Sequence, residues 1–435
     1  MSGLEMWGGV ECTVVRIEAQ QRDQLHETGH HDREGDLDLI ASLGLRTLRY
    51  PVLWERVAPR DPAECDWAWS DARLARLREL GIAPILGLVH HGAGPAYTDL
   101  LDPLFPEKLA DYAGRVARRY PWVRDWTPVN EPLTTARFSA LYGHWHPHGR
   151  DEGAFFAALV NQCRGVVLAM QAIRDVCPDA RLVQTEDLGR VFSTPTMVPQ
   201  AEYENERRWL SLDLLCGKVG RDHPWHTGLL AAGIGAATLD AFVEAPCPPG
   251  IVGINHYVTS DRFLDERVVL YPARYRSGNG RQAYADLEAV RVRLPGGSGG
   301  VEGRLREAWE RYGLPMAVTE AHLGCREPEE SRRWLVEVWN TAEQLRREGV
   351  DLQAVTVWSM FGAMDWQSLL CHREGAYEPG VFDVRHDPPR PTLLAEAVRS
   401  LATTGRFEHP ALAEVGWWRR SDRFLRAPDD TRFAA

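Results

Sequence analysis

Short apolar runs alternate with longer amphipathic segments along the whole chain. Runs that are rich in Val, Ile and Leu and bounded by turn residues are typical of buried parallel strands. We identify eight such runs, which end near Val15, Tyr50, Val89, Val129, Glu186, Asn255, Glu320 and Ser359. Because strands and helices alternate eight times, the pattern predicts an α/β protein with a single (β/α)8 TIM barrel and long βα loops.

The segments between the runs carry helical spacing. Residues 74–80 place a leucine at every third position, after Ser70-Asp71, which can cap a helix. Residues near 260 to 300 form a long insertion after the sixth run, and residues 294–300 are rich in glycine, which predicts a flexible loop. Loops of this kind in a barrel are expected to border the site.

We assign residues 1–405 to the barrel and residues 406–435 to a C-terminal tail. The tail is basic and aromatic in an acidic chain, with Trp417 and Trp418 followed by two arginines. It is expected to pack on the outside of the barrel or to form a linker towards a partner. Nucleic-acid binding is disfavoured because the rest of the chain is not basic.

Composition narrows the class of protein further. The 435 residues are 44% hydrophobic, which is enough for a large core and argues against general disorder. The formal net charge of −11 disfavours nucleic acid or an anionic membrane as the main partner. We see neither a basic leader with an apolar stretch nor an apolar run of about 18 residues, so we expect no signal peptide and no membrane span. With eight scattered cysteines that are expected to be reduced, the simplest expectation is a cytoplasmic protein.

Two carboxylates close strand-like runs and are the candidates for chemistry. Asn130-Glu131 ends one run, and Glu320 ends another. In a barrel of parallel strands, residues at the carboxyl ends of the strands face the active site. Glu131 and Glu320 could therefore flank one glycosidic bond, whose hydrolysis requires a proton donor and a nucleophile.

Six motifs, in this order, resemble those of glycoside hydrolase family 1. They are Arg49-Tyr50-Pro51-Val52-Leu53-Trp54-Glu55-Arg56, the third strand that ends in His90-His91, Thr127-Pro128-Val129-Asn130-Glu131-Pro132, Gly253-Ile254-Asn255-His256-Tyr257, Val318-Thr319-Glu320, and Trp358-Ser359 followed by Asp365-Trp366. The resemblance runs from Trp7-Gly8 to Asp383. It implies a retaining glycosidase in which Glu131 is the general acid and then the general base, and Glu320 is the nucleophile.

The chemistry assigns roles to the neighbours of this pair. Glu131 must start protonated, so we expect burial and a second carboxylate to raise its pKa. Arg49 would keep Glu320 ionised, and Tyr257 would orient it through a hydrogen bond. Asn130 could hydrogen-bond the sugar 2-OH, a contact that strengthens in the transition state. For Arg49 a purely structural ion pair is the alternative.

The expected substrate-binding residues are Asn130, His90, Glu11, Asn255, Trp358, Asp365 and Trp366. His90 would bind a sugar hydroxyl, and the two Trp rings would face sugar C–H groups. Packing in the barrel is the alternative for each of these three residues.

The side that reads the sugar departs from the family pattern. Val15 stands at about the position of a glycone-binding Gln, and Glu11 could replace its function or only pair with an Arg. Asp365 replaces a Glu and is one methylene shorter, and Ala321-His322 replaces an Asn-Gly after the nucleophile. Altered polar partners imply altered specificity, so we expect a glycone that is not plain glucose with the usual contacts.

His144-Trp145-His146-Pro147-His148 has the alternation of a metal site, but a substrate-lining loop is the better hypothesis. We therefore predict no metal. We also predict no organic cofactor, because the sequence has no Gly-x-Gly-x-x-Gly motif between a strand and a helix and no phosphate loop. Three functions remain open: a retaining glycosidase for a small β-linked glycoside, a transglycosylase that uses the same glycosyl-enzyme intermediate, and a non-catalytic sugar-binding barrel. The expected partner is a small-molecule glycoside, and the oligomeric state stays open.

Overall fold

A computed structural model describes residues 3–294, 299–325 and 327–425. The strands in chain order are β1 (Glu5–Gly9), β2 (Val14–Ile17), β3 (Gln20–Asp23), β4 (Thr47–Pro51), β5 (Ala83–His90), β6 (Asp125–Asn130), β7 (Arg181–Asp187), β8 (Val191–Ser193), β9 (Ile251–Asn255), β10 (Arg262–Asp265), β11 (Arg276–Gly278), β12 (Ala283–Glu288), β13 (Met316–Ala321), β14 (Leu352–Val357), β15 (Ala363–Met364), β16 (Tyr377–Glu378), β17 (Phe382–Asp383) and β18 (Arg390–Pro391).

The α-helices in chain order are α1 (Gln24–Glu27), α2 (Asp36–Ala41), α3 (Trp54–Val57), α4 (Ala68–Glu79), α5 (Phe105–Arg119), α6 (Pro132–Ala136), α7 (Glu152–Arg174), α8 (Val198–Arg207), α9 (Leu210–Leu215), α10 (His226–Ala231), α11 (Ala236–Glu244), α12 (Gly300–Tyr312), α13 (Pro328–Arg347) and α14 (Leu393–Thr404).

Among the described residues, parallel strands close into a barrel in the order β1-β14-β13-β9-β7-β6-β5-β4. β1 completes the ring because it pairs with β14 on one side and with β4 on the other. Helices lie in the connections between successive barrel strands. The prediction of a (β/α)8 barrel is therefore confirmed.

Apolar side chains fill the barrel from both of its faces. A small buried cluster contains Trp7, Ile85, Val183, Ile251, Ala317 and Ala354, each from a different strand. A much larger cluster lies between the strands and the surrounding helices. One described helix, α7, is long and apolar enough to cross a membrane by length and composition alone. In that helix 61% of the qualifying window is buried inside the protein, as in the core helix of a soluble protein.

The predicted end of the first strand is wrong. β1 ends at Gly9, and Val15 lies instead in β2, which forms an antiparallel hairpin with β3. A continuous apolar run cannot distinguish one long strand from a short strand followed by a hairpin. The last barrel strand, β14, ends at Val357, slightly before the predicted Ser359.

The insertion after β9 has regular structure. Its strands β10, β11 and β12 join β8 in a sheet of order β11-β12-β10-β8. Residues 295–298 of the predicted flexible loop lie outside the described residues.

The described part of the C-terminal tail contacts α13. The Trp418 ring meets Trp334 edge-on at 5.4 Å, and its indole N–H donates to Glu337 at 2.9 Å. These contacts lie on the outer layer of helices.

Candidate active site

A cavity of about 410 Å³ lies at the carboxyl ends of the barrel strands. This size is within the usual range of small-molecule sites, roughly 300 to 1,000 Å³. Its lining includes six of the predicted site residues, namely Glu11, Glu131, Tyr257, Glu320, Trp358 and Trp366. The strand-end rule therefore located the correct edge of the barrel.

Glu320 is buried near the end of β13 and is held by a cation and a phenol. Arg49 in β4 donates from Nη1 to Glu320 Oε1 at 2.8 Å, and the Tyr257 hydroxyl donates to Oε2. Burial raises the pKa of Glu320, while the Arg49 guanidinium and the Tyr257 hydrogen bond oppose the rise. The pKa of Glu320 is raised overall, but Arg49 and Tyr257 stabilise its ionised form, and the pKa of Glu131 is raised more strongly.

Glu131 has the opposite environment. Asn255 donates from Nδ2 to Glu131 Oε1 at 2.5 Å. The His91 ring lies 3.7 Å from Oε2, but burial lowers the pKa of His91 to about 3, so this ring is neutral and supplies no charge. Burial raises the pKa of Glu131 well above its usual range, and the charges of Glu320, Asp187 and Glu186 raise it further. A proton shared by the two carboxylates is therefore held on Glu131.

The backbone around Glu131 is set by the start of α6. Glu131 has a left-handed φ of 47°, directly before Pro132 opens the helix. The buried Glu186 carboxylate accepts the N–H groups of Leu133 at 3.0 Å and Thr134 at 3.2 Å. These bonds satisfy donors that a helix start leaves free, and so they fix the turn that presents Glu131.

Two asparagines organise the space behind the carboxylates. Thr319 donates from its hydroxyl to Asn255 Oδ1 at 2.6 Å, which turns the Asn255 amino group towards Glu131. Asn130 Oδ1 accepts from Arg49 Nη2 at 2.7 Å and from the Thr185 hydroxyl at 2.7 Å. The structure thus shows positioning contacts for both asparagines, and their contacts with a sugar stay predictions.

Four of the residues predicted to bind the sugar lie outside the cavity lining, namely the two asparagines just described, His90 and Asp365. His90 stacks parallel to Trp358, with 5.5 Å between ring centroids, and the next residue, His91, lines the cavity instead. Asp365 accepts from Arg22 Nη2 at 2.9 Å and from the Ala376 backbone N–H at 2.8 Å. His91 and Asp365 both have a left-handed backbone conformation, so the chain turns at each of them. The sequence motifs do not reveal these turns.

Polar groups that sequence reasoning missed line the side near Trp358. His322 donates from Nδ1 to the Trp358 carbonyl at 2.9 Å, and its Nε2 lies 3.0 Å from Glu378 Oε2. Although burial lowers it, the pKa of His322 is raised overall by the hydrogen bond and charge of Glu378. His322 could have been found from the sequence, because Ala321-His322 departs from the family pattern after the predicted nucleophile. Glu378 lies outside all six motifs, so the sequence offered no signal for it.

Glu11 joins the same side of the cavity. It accepts the Trp358 indole N–H at 3.1 Å and the Thr13 backbone N–H at 2.9 Å. Burial raises the pKa of Glu11. Of the two alternatives for Glu11, these contacts do not show the pairing with an Arg, because both donors are neutral. Its contact with a sugar stays a prediction.

Asp187 was also missed, although it ends β7 beside the predicted strand end at Glu186. It lines the cavity and accepts from the Ser260 hydroxyl at 2.8 Å. The strand-end rule could have found it.

The histidines of residues 144–148 lie outside the cavity lining. In this segment, Trp145 contacts two residues of the cavity lining. Its ring centroid lies 5.2 Å from that of His91, and its indole N–H donates to the Leu369 carbonyl at 2.8 Å. Elsewhere in the described ranges, His26, His31 and Asp32 lie close enough to share a cation. The Arg56 guanidinium contacts His31 there, and its charge opposes a bound metal.

Comparisons with known proteins give the same architecture. Residues 3–212 match the model of glycosyl hydrolase family 1. Coniferin beta-glucosidase of Pinus contorta is 23% identical over 432 residues, which cover 86% of this chain and 82% of that protein. The solved beta-glucosidase from Thermotoga maritima in complex with deoxynojirimycin superposes with a TM-score of 0.72 at 16% identity, over 93% of this chain and 98% of that one.

Other relatives align over a shorter length. Beta-glucosidase A of Thermotoga maritima is 26% identical over 188 residues, and the chain spans 41% of its length. The chain also spans 41% of a 6-phospho-beta-glucosidase of Dickeya chrysanthemi.

A closed parallel barrel with two carboxylates in one strand-end cavity is an arrangement that glycosidases use. The family model covers residues 3–212, just under half of the 435 residues, so glycosyl hydrolase family 1 is the family to which the chain is similar.

Proposed function

We propose that the protein hydrolyses a small β-linked glycoside with retention of configuration. The observation that carries the proposal is the unequal setting of the two cavity carboxylates. Glu320 is paired with Arg49 and Tyr257, whereas Glu131 is buried beside further carboxylates. Environments that drive two pKa values apart separate the roles of acid and nucleophile.

In the first step, Glu320 attacks the anomeric carbon while Glu131 gives its proton to the glycosidic oxygen. The C–O bond to the aglycone breaks, and the sugar becomes an ester of Glu320. In the second step, Glu131 takes a proton from water as the water oxygen attacks the same carbon, and Glu320 leaves as a carboxylate. Glu131 and Glu320 together carry one negative charge before and after each step. This constant charge suits a buried site in which the Arg49 guanidinium is the positive partner.

We propose further that the glycone is not glucose held by the contacts usual in the family. The support is the wall formed by Glu11, His322 and Glu378, together with the Arg22 pairing of Asp365. A site built to hydrogen-bond particular hydroxyls rejects a sugar that lacks them by large factors.

A cytoplasmic location also stays a proposal. It is supported by the eight cysteines, all of which are free thiols in the structure. Fractionation of source cells with an antibody against the chain would test it.

The function is tested with 4-nitrophenyl β-glycosides of glucose, galactose, fucose, mannose, xylose, rhamnose and glucuronic acid. For the best substrate, proton NMR at early times is expected to show the β-anomer of the released sugar first. Initial formation of the α-anomer would contradict retention. Absence of turnover and of binding across the panel would overturn the hydrolase proposal. Glu320→Ala protein prepared in the same way controls for contaminating activity, because it lacks the proposed nucleophile.

A further inference from the structure

The cavity is lined in part by side chains from segments that lie outside the barrel strands. Trp417 belongs to the C-terminal tail, and Arg291 lies three residues after β12 of the insertion. Both line the same cavity as Glu131 and Glu320. The cavity is therefore completed by two segments that are distant in sequence.

Trp417 is held firmly in this position. Its backbone N–H donates to Glu330 Oε2 at 3.0 Å, and the Arg291 guanidinium lies over its ring, 4.8 Å from the centroid. The adjacent Trp418 packs closely on Gly416, where an added Cβ would lie 2.4 Å from the Trp418 ring. These contacts fix the tail at this turn, so Trp417 is a built part of the wall.

The charge of Arg291 is balanced locally. Glu288, which also lines the cavity, accepts from Arg291 Nε at 2.6 Å. Apolar side chains of Phe138, Val258 and Leu323 share the lining with Trp417. The wall therefore presents flat and apolar surface with a neutralised ion pair.

We propose that Trp417 forms one wall of the aglycone subsite and that the aglycone is a flat, largely apolar group such as an aromatic ring. This inference rests on the proposed hydrolase function. The glycone must lie against Glu320, with the glycosidic oxygen at Glu131, so the leaving group extends away from the barrel strands. Trp417 and Arg291 are carried by segments beyond the strand ends, where that group would lie. Aromatic stacking on Trp417 would then contribute to selection of the leaving group.

The test compares two substrates with the same sugar, a 4-nitrophenyl glycoside and a glycosyl fluoride, whose leaving group is a single atom. The readout is the ratio of their kcat/KM values. Trp417→Ala is expected to lower this ratio about fivefold to tenfold, and Trp417→Phe, which keeps a ring, to restore most of it. Arg419→Ala is the matched control from the same turn, because Arg419 pairs with Glu337 outside the cavity. An unchanged ratio in Trp417→Ala would overturn the inference.

A binding measurement separates this inference from the proposed function. If wild-type protein turns over neither substrate, the hydrolase proposal fails by itself. Calorimetry with 4-nitrophenyl 1-thio-β-glycosides, which resist hydrolysis, then tests the wall directly. Weaker binding by Trp417→Ala but not by Arg419→Ala would support the aromatic subsite. Equal binding by all three proteins, or absence of binding by the wild type, would overturn it.

Discussion

We call the part of the cavity around Glu320, with Arg49 and Tyr257, its floor. The floor and the side near Trp358 differ in how well the sequence motifs predict their contacts. On the floor, Arg49 and Tyr257 contact Glu320 as the chemistry requires. On the other side, His90 lies behind Trp358 and Asp365 pairs with Arg22. Asp365 lies outside the barrel strands, and its partner Arg22 is remote in sequence. His90 ends β5, so a position at a strand end does not by itself place a side chain in the cavity lining.

The largest effect is expected from the floor. Glu320→Ala should lower kcat roughly 10⁴-fold or more, since it removes the nucleophile. Azide can occupy the vacated space and should restore turnover of an activated aryl glycoside. Glu302→Ala, at an exposed position, should keep wild-type kcat. Retained activity in Glu320→Ala would assign the nucleophile elsewhere.

Glu131→Gln should lower kcat for a poor leaving group by about 10²- to 10⁴-fold, because no proton reaches the glycosidic oxygen. A 4-nitrophenyl leaving group needs less protonation, so formation of the glycosyl-enzyme from that substrate should suffer less. Burst kinetics with both leaving groups measure this difference. Equal losses for both would argue against an acid role.

The side near Trp358 gives smaller and separable effects. Glu378→Gln should lower kcat/KM about tenfold for the preferred sugar, since Glu378 lines the cavity. Asp365→Asn should instead lower the free energy of unfolding by about 1 to 3 kcal/mol, because it weakens the buried contact with Arg22.

Denaturant unfolding and a sugar panel on both variants distinguish these roles. A large kcat/KM loss in Asp365→Asn at unchanged stability would return Asp365 to sugar binding.

The smallest effect concerns pH. Glu131 must be protonated in the first step, so activity falls as pH rises through its pKa. The negative charge of Asp187 is one cause of the raised pKa. Asp187→Asn should therefore move the alkaline limb of kcat/KM to lower pH, whereas Asp240→Asn, at an exposed site, should not move it. A limb that stays in place or moves upward would contradict this electrostatic account.

The barrel was predictable because its strands are buried on both faces and read as continuous apolar runs. The first strand was the exception, because a similar run at Val15 belongs to the β2–β3 hairpin. Both runs are apolar, and only tertiary pairing separates them. The sheet of the insertion was also missed, since its strands are short and β11 is exposed.

The cavity lining was predictable where a residue lies at a strand end, as at Glu131 and Glu320. It was not predictable where two lining residues from distant segments contact each other. His322 and Glu378 meet across 56 positions of sequence, and Arg291 and Trp417 come from the insertion and the tail. Neither pairing leaves a local pattern that spacing can reveal.

The left-handed backbone of Glu131 has a consequence for engineering of the protein. A residue with a side chain at this φ of 47° costs about 1 kcal/mol more than glycine would. Glu131→Gly would thus relieve strain and remove a buried acid while it deletes the proton donor. Relief of this strain raises stability, but loss of the Glu131 carboxyl abolishes turnover. Selection for thermostability alone would therefore favour an inactive enzyme at this position.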